Sequence, residues 1–113
     1  MYVIERKHKF IETLVLKDKG KELKVEVNIE LLRTLNRYLK ATRVLEIAQI
    51  EIQKGGKDFG KLGNAILEVM EIVFGNEKGK EIIDFYDGDY AELLLDIYPF
   101  ITNVVTPAYM EAK

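Results

Sequence analysis

Hydrophobic and polar residues alternate strictly from Leu23 to Ile29, where Leu23, Val25, Val27 and Ile29 are interleaved with Lys24, Glu26 and Asn28. A period of two marks a half-buried strand, with one face on a core and the other in water. The preceding run KFIETLVLK has the same character, and Asp18-Lys19-Gly20 between the runs has turn chemistry, so residues 1–29 are predicted to hold an antiparallel hairpin. A lone hairpin is marginal in water, so its apolar face must rest on elements later in the chain.

From there the period changes to that of a helix. Asn28 is a candidate cap for a first helix that stops at Gly55-Gly56. Leu31, Leu32, Leu35, Tyr38, Leu39 and Leu45 gather on one face, and Arg33, Arg37, Lys40 and Arg43 form a basic stripe on the other. Farther along, Val44, Ile47, Ala48, Ile50 and Ile52 surround the axis. A helix apolar all round has more than one neighbour, which is either another part of this domain or another subunit.

A second helix is predicted from Asp58 to Gly75. Its apolar members, Phe59, Leu62, Ile66, Leu67, Val69, Met70, Ile72, Val73 and Phe74, leave only a narrow wet strip at Lys61, Asn64, Glu68 and Glu71. This is the expected central helix, with Ile66, Val69, Met70 and Val73 at the middle of the arc. Asn76 is the candidate cap of a short third helix ending at Gly88, and Asp89, with Glu92 after it, caps a last one. In the last helix Leu93, Leu94, Ile97, Tyr98, Phe100, Ile101, Val104 and Val105 share a wide face, and Leu95 points away from it. Pro99 falls on the polar side, which predicts a kink and not a break. The fold class expected is α+β, mainly α: an N-terminal β-hairpin packed on a bundle of about four helices. It forms a single domain over 1–113, with the hairpin in 1–29 and the helical part in 29–113.

Composition narrows the chemistry. Apolar residues make up 48% and charged residues 32% of 113 residues, a globular and not a disordered balance. No apolar run approaches the roughly 20 residues of a membrane span, and the opening MYVIERKHKF lacks a secretory segment, so no membrane partner and a cytoplasmic location are expected. There is no cysteine and no serine, and His8 is the only histidine. Serine and cysteine nucleophiles are thereby excluded, disulfides and thiolate metal sites with them, and an imidazole zinc site is not expected. No catalytic residue, metal or cofactor is expected. The charge is uneven: residues 1–61 carry 14 Lys and Arg against 9 Asp and Glu, a balance of +5, and residues 62–113 carry 3 against 10, a balance of −7. Such polarity helps the halves of one domain pack or orients contact between copies.

Three motifs invite functional readings. GGKDFGKL has phosphate-loop spacing, but Leu62 stands where magnesium needs a hydroxyl and a helix precedes it where a strand is required. The DFG at Asp58–Gly60 has no kinase around it in a chain of 113 residues. The acidic run DFYDGD at Asp84–Asp89 lacks the order of calcium-loop ligands, and reads as punctuation between two helices.

The hairpin followed by helices, Phe74-Gly75, and then IIDFYDGDYAELLLDIYPFI from Ile82 to Ile101 resemble the tail assembly chaperones of long-tailed double-stranded DNA phages and prophages of Gram-positive bacteria. Tyr86, Asp89, Tyr90, Leu94, Pro99 and Phe100 carry most of that resemblance. It implies a small helical protein, made in the cytoplasm of the infected host, that coats the tape measure protein and helps tail tube protein gather around it. It implies no catalytic residues. The candidate protein-binding residues are Val44, Ile47, Ile50, Leu95 and Val105, and a homo-oligomer is expected because one small domain has little room to hide Val44, Ile47 and Leu95. Two other readings stand beside it: another oligomeric protein-binding module, and a nucleic-acid-binding protein using Arg33, Arg37, Lys40 and Arg43 with Arg6, Lys7 and Lys9. A pI near 5.5 and the lack of aromatics among the arginines speak against nucleic acid.

Overall fold

The computed structural model describes residues 1–4 and 8–112. It is α+β and mainly α, with an N-terminal hairpin on four helical rods. Strand β1 (Lys9–Asp18) pairs antiparallel with β2 (Lys21–Glu30) in a register that sets Asp18 opposite Lys21. The turn is therefore Lys19-Gly20 alone, and both residues take positive φ, 44° and 88°. Val25, Val27 and Ile29 are buried as the alternation predicts, and β2 faces the helices while β1 lies outside it.

Helix α1 (Leu31–Gln53) starts with no loop after β2. Asn28 is thus not its cap: it lies in the strand opposite Ile11, and the first helical N–H, that of Leu31, donates to the His8 carbonyl at 2.7 Å. Its buried face is Leu31, Tyr38, Ala41, Leu45 and Ala48, while Leu32, expected inside, is exposed. The far end is a complete Schellman stop. Gly55 N–H donates to Ile52 O and Gly56 N–H to Glu51 O. Gly55 has φ 91°, and a Cβ on Gly56 would sit 2.6 Å from the Glu51 carbonyl oxygen, so both positions require glycine.

Helix α2 (Phe59–Phe74) is capped by Asp58, whose carboxylate accepts from Lys61 N–H at 2.9 Å. Ile66, Val69, Met70 and Val73 are each 2% exposed, as the central position requires. Phe59 and Leu67 are exposed, so the apolar arc is narrower than the composition of α2 suggests. Gly75, at φ 84°, both ends α2 and precedes α3 (Asn76–Phe85), which makes Asn76 the first helical residue and not a cap.

The last rod runs without interruption through α4 (Tyr90–Phe100), a π-helical turn at Ile101–Val105, and α5 (Thr106–Ala112). Pro99 is exposed and does not end it. The residues buried along the rod are Leu93, Ile97, Ile101, Val105 and Tyr109, a strict spacing of four. In a regular α-helix a spacing of four drifts by about 40° per step, which would carry the stripe off the core. The wider π turn, in which Thr106 N–H donates to Ile101 O, takes up part of that drift, and it comes just before Pro107, whose ring would press on the carbonyl of Asn103 in an α turn. The rod lies on α2 partly through the stacked rings of Phe74 and Phe100, 6.3 Å apart. No helix of the described residues is long and apolar enough to cross a membrane.

Truncating the centre tests this packing. Met70→Ala or Ile66→Ala should cost about 2 to 5 kcal/mol in urea unfolding, whereas Phe59→Ala on the same helix should cost about 0.5 kcal/mol or less. Equal losses at the two kinds of position would refute α2 as the interior helix.

Candidate functional site

The acidic run resolves into helix ends. Asp89 accepts Glu92 N–H at 3.1 Å, the expected cap of α4. Gly88 has φ 74°, but the residue in the first position past α3 is Asp87, at φ 53°. Its N–H donates to Asp84 O, and that of Gly88 donates to Ile83 O. Asp96 accepts the Tyr86 hydroxyl at 3.0 Å, and this bond and above all burial hold the Tyr86 phenol protonated well above its ordinary range. Among the described residues no group of three His, Cys, Asp or Glu converges on a point where a metal would sit.

The apolar candidates divide. Val44, Ile47 and Ile50 are 40%, 44% and 45% exposed and follow one another at intervals of three, stepping about 60° around α1 each time. They make one oblique ridge on the outward side of that helix. Leu95, 77% exposed, lies on α4, away from the buried face of its rod. Val105 does not belong with them: it is wholly buried. The π turn and the spacing of four rotate it into the core and leave Val104 and Met110 partly open, so Val105 is withdrawn from the candidate surface.

Two grooves flank the ridge. One, of about 740 Å³, runs between α1 and α2, with Ala41, Ala65 and Gly60 as small residues along it and Val44, Lys40 and Asn64 at its sides. Its apolar floor is short-chained at Ala41 and Ala65, and the long side chains of Arg37, Lys40, Lys61 and Glu68 line it as a charged rim. The other, of about 350 Å³, lies where Gln49 of α1 meets Leu94, Leu95, Tyr98 and Pro99 of α4. Val44 thus borders the first groove and Leu95 the second, with Ile47 and Ile50 on the outward arc of α1.

The basic stripe is half spent on structure. Arg37 bonds Glu68 at 2.9 Å and stands 3.7 Å from Glu71, tying α1 to α2, and Arg33 meets Glu30 at 3.5 Å. Lys40 and Arg43 are exposed, and Arg6 and Lys7 lie outside the described residues. The lysine of the phosphate-loop-like motif, Lys61, bonds Glu51 at 3.1 Å and so joins the end of α1 to the start of α2.

A tyrosine clasp, which periodicity alone had marked only as an apolar Tyr38, closes the other side of α1. The rings of Tyr38 and Tyr109 stack with centroids 4.0 Å apart. Each hydroxyl reaches a threonine on the opposite helix, Tyr38 to Thr106 at 2.6 Å and Tyr109 to Thr34 at 2.7 Å. The signal in the sequence is the pairing of Thr34 with Tyr38 and of Thr106 with Tyr109, one helical turn apart in each case. Burial pushes the Tyr38 phenol up to about 12, partly offset by its bond to Thr106, and burial raises Tyr109 as well. No family model, curated protein or solved structure matches this chain.

These raised phenols set a pH dependence. The folded chain keeps protons that the unfolded chain, titrating near 10, gives up. Stability is therefore full below pH 10 and falls as pH rises toward 12. The slope is up to about 1.4 kcal/mol per pH unit for each buried tyrosine. Urea midpoints from about pH 9 to about pH 11.5 should show the fall, and Tyr38→Phe should make it shallower. A wild-type midpoint that stays flat through this range would contradict the clasp.

Proposed function

We propose that the protein is a non-enzymatic assembly chaperone of the phage-tail kind, which in the host cytoplasm holds apolar helix-forming segments of a tape measure protein until tail tube protein gathers around them. The observation that carries this reading is the ridge Val44, Ile47 and Ile50, left exposed between two open grooves on the flanks of α1. An amphipathic client helix is recognised by such a surface through anchors spaced one turn apart. Single contacts of this size are weak, and many copies along one long client gain by avidity.

The groups available for chemistry support the same reading. With no serine or cysteine in the chain, the hydroxyls left are those of threonine and tyrosine, and the most buried tyrosines use theirs to join helices. The nucleic-acid reading is weakened by the ion pairs of Arg33 and Arg37 with Glu30, Glu68 and Glu71.

Co-expression tests the proposal. A tape measure protein encoded beside this chain should become soluble and co-purify, and Ile47→Asp or Leu95→Asp should abolish capture with the melting temperature within a few degrees of wild type, since both sites are exposed. A client that stays insoluble beside folded protein, or retention of duplex DNA at physiological salt with no client capture, would overturn it.

A further inference from the structure

Strand β1 has β2 along one edge and, among the described residues, no strand along the other. The turn determines which backbone groups face that open edge. A two-residue turn with both φ positive is a type I′ hairpin, closed by a hydrogen-bonded pair, here Asp18 and Lys21. Bonded and non-bonded pairs then alternate along the ladder. Phe10, Glu12, Leu14 and Leu16 bond to β2, whereas Lys9, Ile11, Thr13, Val15 and Lys17 turn their N–H and C=O groups to the open edge. The same five side chains occupy the outer face, where Ile11 is 58% and Val15 39% exposed. An open edge ten residues long with aliphatic side chains on it is a template for another strand.

We propose that β1 pairs antiparallel with β1 of a second copy of this chain, about a two-fold axis through Thr13, and makes one continuous four-stranded sheet. The choice of a second copy rests on self-complementarity. Rotation about Thr13 sets each Ile11 opposite the second copy's Val15 and brings only outward-facing backbone groups together. On the inner face it sets the half-buried Phe10 opposite the second copy's Leu16, which extends the apolar layer on each side of the axis, and the exposed Glu12 opposite the second copy's Leu14, which interrupts that layer beside the axis. Moving the axis to residue 12 places Val15 opposite Lys9, and moving it to residue 14 places Ile11 opposite Lys17, so the neighbouring registers lose the aliphatic match. The chosen register sets Lys9 opposite the second copy's Lys17, but each lysine already faces an acid on β2, Glu30 and Glu22 respectively. The contact uses no residue of the client-binding ridge and stands apart from that reading.

Association of the intact chain, measured by analytical ultracentrifugation, tests this directly. Dimers should form, and added salt should strengthen them by screening the lysine pairs, the opposite of contact driven by the +5 and −7 halves of the chain. Thr13→Pro removes an N–H that faces outward and in the single chain donates to the Glu12 carboxylate at 3.2 Å, a bond that pairing with the second copy replaces; the change should weaken dimerisation at least roughly tenfold while the hairpin stays folded. Ile11→Lys should do the same through the side chain. Because the chain has no cysteine, Thr13→Cys should cross-link to itself on mild oxidation, and Val15→Cys should cross-link only when Ile11→Cys is also present. A monomer through several hundred micromolar, undiminished dimers in Thr13→Pro and Ile11→Lys, or self-cross-linking of Val15→Cys in place of Thr13→Cys would each overturn the proposal.

Discussion

Burial of Ile66, Val69, Met70 and Val73 is the constraint on which the rest of the structure depends. No other element can shield its apolar side alone. The hairpin is two-stranded among the described residues and needs a helical layer against β2. Helix α3 is ten residues long, too short to persist by itself, and the last rod must place its stripe of every fourth residue on something. All of these meet α2, whose buried residues therefore take up about half of its circumference. Its entry and exit are fixed tightly as a result, by the Asp58 cap at one end and Gly75 at the other.

The parts of this arrangement governed by one local rule were legible in the sequence. Alternation from Leu23 to Ile29 located β2, and Asp58, Gly55-Gly56 and Asp89 marked helix ends because capping is a local matter of a side chain or a positive φ. What was missed depends on partners distant in the chain. Asn28 has good capping chemistry, but strand pairing with Ile11 takes it. The π turn was invisible to a search at a period of 3.6, although the spacing from Leu93 to Tyr109 is four throughout. That one irregularity also removed Val105 from the candidate surface.

Once the interior is satisfied, α1 has apolar residues to spare. Its inner side meets α2 and the last rod, the Tyr38–Tyr109 clasp locks α1 to α5, and the ridge from Val44 to Ile50 is left facing solvent. The molecule is elongated, 59 × 35 × 21 Å, with a radius of gyration of 15.3 Å against about 13 Å for a compact chain of this length. Such a shape offers much surface for little interior, which suits the proposed role of covering another protein.

The interior, built on α2, is separate from the proposed client surface on the outer side of α1 and on α4. Hydrogen exchange, followed by mass spectrometry with and without an apolar helix-forming segment of the client, tests it most directly. Amides of α2 should exchange slowest in the free protein and be little changed by the client, while residues 44–50 and 94–99 gain protection. Client protection confined to the hairpin, or α2 exchanging as fast as the ends of the chain, would contradict it.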